Sequence, residues 1–232
     1  MITSVIIQGV PRTGTTLMLD IFRHISVIDQ VYPENLLPKD LPLLDHSWAW
    51  KRPYNCLDTE HLHKICPYTP IIFMVRDLRD CIVSWYHYPD PDKTLLMPKG
   101  YKGIDGYIRL WKDYTAWVAD NAYRYGMVIS LENLIQDKFF TVRNVLKWLH
   151  IPFEQSAIAF VDNYISNKPV DGYPHRNWVS PEKKVGGWRN RIDLMKKHAE
   201  ALKECIPNFV IKPKNRRLSI SGILNSIRFG SR

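Results

Sequence analysis

Polar and apolar positions along the chain fall into two alternating kinds of stretch. The first kind is short, continuous and apolar: Val5-Ile6-Ile7, then Ile71-Ile72-Phe73-Met74-Val75 after Pro70, then Met127-Val128-Ile129. Runs of that length bounded by turn residues predict strands buried on both faces of a parallel sheet. The second kind is longer, with apolar residues returning every three or four positions. Tyr107, Leu110, Trp111, Tyr114, Trp117 and Val118 form one such stripe, and Val142, Val145, Leu146 and Leu149 another. Helices are predicted there, from the first loop to about residue 24, over 59–65, 78–86 and 155–165, and near 191–205. The aromatic stripe reads as core. Residues 31–53, rich in Pro, Trp and Asp, read as loop with short helices, and 89–102 and 167–187 as loops. Strands alternating with helices predict an α/β fold of three layers, with helices on both faces of a central parallel sheet.

Composition narrows this picture. A chain of 232 residues with 45% hydrophobic residues suits one α/β domain, or one domain with a tail. No apolar run is long enough to span a bilayer. The opening residues go directly into a strand without a basic, cleavable leader, so a cytoplasmic protein is expected. Cys56, Cys66, Cys81 and Cys205 show no paired spacing and read as reduced thiols. Charge is uneven: residues 183–232 hold 13 of the 32 Lys and Arg and 3 of the 23 Asp and Glu, net +10, leaving the remainder at −1. This basic end carries no nucleic-acid motif, so no nucleic-acid partner is expected. We divide the chain into a domain over 1–211 and a basic tail over 212–232. In the tail Ile220, Ile223, Leu224 and Ile227 fall at helical spacing beside Arg216, Arg217 and Arg228. A short amphipathic helix is expected there, docked on the domain itself or on an anionic membrane. Oligomeric state is not legible.

Chemistry concentrates at two places. Gly9-Val10-Pro11-Arg12-Thr13-Gly14 has GxxxxG spacing between a predicted strand and a predicted helix. Such a loop turns backbone N–H groups inward at a helix start, a cradle for phosphate or sulfate. The lysine that follows the second glycine in nucleotide-triphosphate loops is replaced by Thr15-Thr16, and Arg12 lies inside the loop instead. Further on, Arg76 leaves the carboxyl end of a strand, where α/β sheets bind ligands, and Ser84 follows eight residues later, about two helical turns. An Arg with a hydroxyl suits a phosphate monoester; an Arg76–Asp80 helix salt bridge is the competing reading. His61 and His63 sit two apart in a helical stretch and face different sides, so no metal site is expected.

Together these residues resemble the PAPS-dependent sulfotransferases, PAPS being 3′-phosphoadenosine 5′-phosphosulfate. Pro11-Arg12-Thr13-Gly14-Thr15-Thr16 is similar to that family's 5′-phosphosulfate loop, with Thr13 for its serine, and is nearest the bacterial and tyrosylprotein branches. Val75-Arg76-Asp77-Leu78-Arg79-Asp80 with Ser84 matches the family's 3′-phosphate motif except for Leu78 in place of proline. Ser130-Leu131-Glu132-Asn133-Leu134 echoes a strand-end motif, with Leu131 where an aromatic often meets adenine. The stretch from Lys183 to Arg189 echoes a mobile Gly-x-Trp loop, which implies phosphate contacts from Lys183 or Lys184. The resemblance implies sulfuryl transfer from PAPS, without metal, to a hydroxyl or amine of a small-molecule or glycan acceptor. It implies Arg12 and Lys51, the latter in a Lys-x-Pro, as cations, and Glu34 as general base, with His46, Asp40 and Asp45 as rivals. Trp48, Trp50, Trp85, Tyr86 and Tyr88 are candidates for an acceptor wall or for core. A nucleotide kinase-like phosphotransferase and a non-catalytic phosphonucleotide-binding protein remain alternatives.

Overall fold

In the structure, a computed structural model, residues 3–32, 36–87, 97–165 and 185–205 are described. Glu34, Tyr88, Lys183, Lys184 and the tail over 212–232 lie outside them.

Five strands form one parallel sheet: β1 (Ser4–Gln8), β2 (Gln30–Tyr32), β3 (Trp48–Lys51), β4 (Ile71–Val75) and β5 (Gly126–Ser130), in the order β2-β3-β1-β4-β5. Residues of β1 alternate between the two faces, and both faces are covered. Ile6, Trp50, Ile71 and Phe73 pack into one apolar layer with α2 (Thr59–Ile65) and α4 (Gly103–Tyr125). Val5, Ile7, Ala49, Ile72 and Met74 pack into the other, with α1 (Thr15–Phe22), α6 (Lys138–Trp148) and α7 (Gln155–Ile165). That double burial explains why β1 and β4 read as unbroken apolar runs.

The predicted loop over 31–53 is corrected in part. It contains short 3-10 turns, at Pro38–Leu43 and Pro53–Asn55, but also the strand β3 and most of β2. Trp-Ala-Trp-Lys is too short to read as a strand among its Pro and Asp neighbours, although Trp favours strands. It becomes one because its edges are clipped: the Ser47 amide donates to Asp29 Oδ2 at 2.8 Å, the Thr3 amide to Ser47 Oγ at 3.0 Å, and the Trp48 amide to the Thr3 carbonyl at 2.9 Å. Trp48 and Trp50 are buried core, as is Trp85, which packs on Tyr107. The predicted helix near 191–205 is two helices, α8 (Ile192–Lys197) and α9 (Ala199–Cys205), meeting at His198. Helices α3 (Leu78–Tyr86) and α5 (Leu131–Gln136) follow β4 and β5 directly.

Strand β1 is central, so the loop that leaves it is flanked at the carboxyl edge by the ends of β3 and β4. Lys51 closes β3 opposite Ile7, and Phe73 in β4 stands opposite Gln8. Three separated stretches of sequence thereby deliver their chemistry to one edge.

Candidate active site

The loop after β1 is built by its own backbone. Thr13 turns inward and its hydroxyl donates to the Val10 carbonyl at 2.8 Å. Gly14 caps α1 in the left-handed region at φ 95°, and a Cβ there would lie 2.7 Å from Leu131 Cδ1. Only glycine fits that cap. Arg12 also takes a left-handed backbone, at φ 75°, without a glycine's freedom. Pro11, Thr13 and Thr15 are buried, while Arg12, Gly14 and Thr16 are half-buried, so the loop's outer rim faces solvent.

The second motif meets the first directly. Arg12 Nε donates to Ser84 Oγ at 2.9 Å, and Arg76 Nη1 donates to the Arg12 carbonyl at 3.0 Å. The two cofactor-type motifs of the sequence, more than sixty residues apart, are one hydrogen-bonded unit. Arg76 is buried, and burial opposes its charge. The acidic side chains around it, Cys81, Asp80, Glu132 and Tyr107, outweigh that and hold its pKa above the ordinary value. Burial pushes the Cys81 thiol up to about 12 and the Tyr107 hydroxyl well above its usual range. Burial also raises the carboxyls of Asp80 and Glu132. Lys51 is only 4% exposed at the end of β3.

Several residues that support this edge carried no functional signal in the sequence. The stripe on α4 is core, as its spacing predicts, yet its polar tips reach the site. Tyr107 Oη donates to the Pro11 carbonyl at 2.5 Å, Trp111 Nε1 to the Arg76 carbonyl at 2.9 Å, and Tyr114 Oη to the Gln8 carbonyl at 3.3 Å. A Tyr-Trp-Tyr run at spacings of four and three was the available clue, since buried Tyr and Trp need acceptors. Gln8, polar in an apolar strand, is 1% exposed; its Nε2 donates to the Asn55 carbonyl at 2.8 Å and its Oε1 accepts from Thr59 Oγ1 at 2.7 Å. Glu132 accepts from the Asp77 amide at 3.0 Å, so the strand-end motif braces the turn into α3.

The rivals for the base divide by position. His46 precedes β3 at its amino end, and its ring joins Tyr32 Oη at 3.0 Å and Asp45 Oδ1 at 3.3 Å. Asp45 is exposed, and Asp40 is half-buried in a 3-10 turn. Among the described residues no group of three His, Cys, Asp or Glu is placed to hold a metal ion, and no helix is long and apolar enough to cross a membrane.

Comparison with known proteins gives a consistent likeness. The sequence family described as "Sulfotransferase domain" matches residues 3–208. No curated protein sequence matches significantly. Among solved structures the chain is similar to mouse sulfotransferase SULT7A1 complexed with PAP, with a TM-score of 0.60 at 15% identity, covering 89% of this chain and 85% of that one. It is also similar to the sulfotransferase domain from the curacin biosynthetic pathway (TM-score 0.53, 11% identity, 83% of this chain and 98% of that one). Sulfotransferase STF9 from Mycobacterium avium gives a TM-score of 0.50 at 14% identity, over 93% of this chain and 79% of that one.

Proposed function

This chain belongs to the sulfotransferase domain family, and from that premise we propose that it moves a sulfuryl group from PAPS to a hydroxyl or amine of a small-molecule or glycan acceptor, by in-line displacement. The observation that carries the reading is the join between its two motifs: Arg12 Nε on Ser84 Oγ at 2.9 Å, with Arg76 on the Arg12 carbonyl. A donor bearing phosphate at both ends of a ribose needs two anion sites at a fixed separation, and in this reading that join would hold them so. A mouse sulfotransferase of the same fold is complexed with PAP, adenosine 3′,5′-bisphosphate.

The residues fit such a donor. Arg12, Lys51 and Arg76 make the edge cationic, and the loop leads into the start of α1, where helix amides favour an anion. Pro11, Arg12, Thr13, Gly14, Thr15 and Thr16 would hold the 5′-phosphosulfate. Arg76 and Ser84 would hold the 3′-phosphate, with Lys183 or Lys184 as further contacts. Ser84 accepts from Arg12, so its own O–H is left to donate. When bound, PAPS supplies the activated sulfuryl group. The protein orients it and offsets the charge that develops on the departing phosphate oxygen, through Arg12, Lys51 and the loop amides.

Glu34 is the general base of this reading. Tyr32 ends β2 opposite Trp50, one residue before Lys51, so the chain two residues before Glu34 is already at the carboxyl edge. His46 precedes β3 in the chain, and its ring is tied to Tyr32 Oη and Asp45 Oδ1. Four free thiols, Cys56, Cys66, Cys81 and Cys205, suit a cytoplasmic setting.

Calorimetry without metal tests the reading. Adenosine 3′,5′-bisphosphate should bind more tightly than AMP, by about the 1.5–3 kcal/mol of a charged hydrogen bond. Equal affinities, or tighter binding of ATP with Mg²⁺, would overturn it.

A further inference from the structure

Asp80, in the first turn of α3, is 2% exposed. Its Oδ2 accepts from the Gly186 amide at 2.6 Å and its Oδ1 from the Trp188 amide at 3.1 Å. One buried carboxylate thus holds two amides of a turn that lies 106 and 108 residues further along the chain. That turn tolerates little else. Gly186 is left-handed at φ 76°, a backbone in which any other residue is strained. The neighbouring side chain completes the bracket. Asp77 Oδ1 accepts from Arg79 Nε at 2.9 Å, and the guanidinium so fixed lies 4.1 Å from the centre of the Trp188 ring. Asp80 also favours the charged form of the buried Arg76 guanidinium, four residues before it.

A salt bridge confined to α3 needs neither the turn nor Gly186. A carboxylate that spends both oxygens on backbone amides while lying beside Arg76 is arranged to hold two pieces in register. We propose that Asp80 is a positioning residue: it fixes the turn at Gly186–Trp188 against the start of α3 and, through that turn and Arg76, sets the preference of the nucleotide site for a 3′-phosphate. The inference rests on the reading of Arg76 and Ser84 as the 3′-phosphate site. Asp80 touches no reacting atom; it acts through the donors on either side of it. Arg79 serves the same end through Trp188, by cation–π contact.

The test is the ratio of affinities for adenosine 3′,5′-bisphosphate and AMP, measured by calorimetry on the wild-type full chain, Asp80→Asn and Gly186→Ala. Asp80→Asn keeps the shape and one acceptor but removes the charge and the second acceptor. Gly186→Ala disturbs the same turn from the far side and leaves Arg76 and Asp80 in place. Both should lower the ratio by about tenfold, the scale of one charge-assisted hydrogen bond, with AMP affinity nearly unchanged. A role in stability alone would weaken both ligands in parallel or neither, and either result overturns the proposal. If Asp80→Asn does not fold, Gly186→Ala decides. A wild-type ratio near one is a different failure: it removes the 3′-phosphate site itself.

Discussion

Arg12 holds a backbone conformation that costs a non-glycine residue about 1–2 kcal/mol. Two contacts keep it there, the Nε bond to Ser84 and the bond its carbonyl accepts from Arg76. Strain retained under such contacts is typical of ligand sites. Arg12→Gly relieves the backbone while deleting the guanidinium. Its melting temperature should therefore not fall, while bisphosphate affinity drops by at least about tenfold. A lower melting temperature with unchanged affinity would make Arg12 a structural residue. With Glu34 as the proposed base, Glu34→Gln should lower kcat by about 10²–10⁴-fold with bisphosphate affinity nearly unchanged, the signature of a lost general base. Lys51→Ala should lower kcat through lost charge stabilisation, and Lys51→Arg less so. Steady-state rates with an acceptor, or slow PAPS hydrolysis, read all three. Near-normal turnover of Glu34→Gln would return the role to another group.

Among the elements, α4 links core and site. Its buried face fills the space over the sheet, and its Tyr107, Trp111 and Tyr114 tips satisfy carbonyls of the two loops and of β1. Loops at a binding edge carry backbone carbonyls that no ladder satisfies, and a buried one left unpaired costs about 1–3 kcal/mol. Tyr107→Phe should therefore destabilise the fold by that amount in urea titration, and should loosen bisphosphate binding because Pro11 is no longer held. Destabilisation without any change in binding would confine Tyr107 to the core. The same level shows why β3 escaped the sequence reading. Trp-Ala-Trp-Lys is only four residues long, has no β-branched residue and sits among Pro and Asp; the strand forms because β1 and β2 offer two ladders and Asp29 and Ser47 clip its start.

Across the whole molecule, pH acts through groups far from the site. Burial holds His24, stacked on Phe160, and His198, bonded to Tyr86, below the ordinary 6.5. The folded protein binds their protons less readily than the unfolded chain. Their contribution to stability is present above about 6.5 and is lost as pH falls through that value. Asp80 and Glu132 act oppositely. Burial raises their pKa values, so the folded state regains stability as pH falls through those raised values. Between pH 7 and pH 6 the melting temperature of the wild type should thus lose ground relative to that of a His24→Gln, His198→Gln double variant. An identical slope would show that neither histidine is linked to folding.

What the sequence determined is what short-range chemistry writes. Continuous apolar runs are visible because a central parallel strand is buried on both faces. The loop after β1 and the Arg76–Ser84 motif are visible because their residue types recur at fixed spacing within one short stretch, as from Pro11 to Thr16. Helix boundaries such as Thr59–Ile65 and Leu78–Tyr86 follow from periodicity within one segment. What only the tertiary structure decided depends on partners distant in the chain. Arg12 could not be known to meet Ser84, nor Asp80 to take the amides of Gly186 and Trp188, because those pairings are set by the strand order β2-β3-β1-β4-β5. The buried ends of Tyr107 and Trp111 belong to the same class: their helix fixes which way they face, and only the sheet beneath supplies the carbonyls they reach.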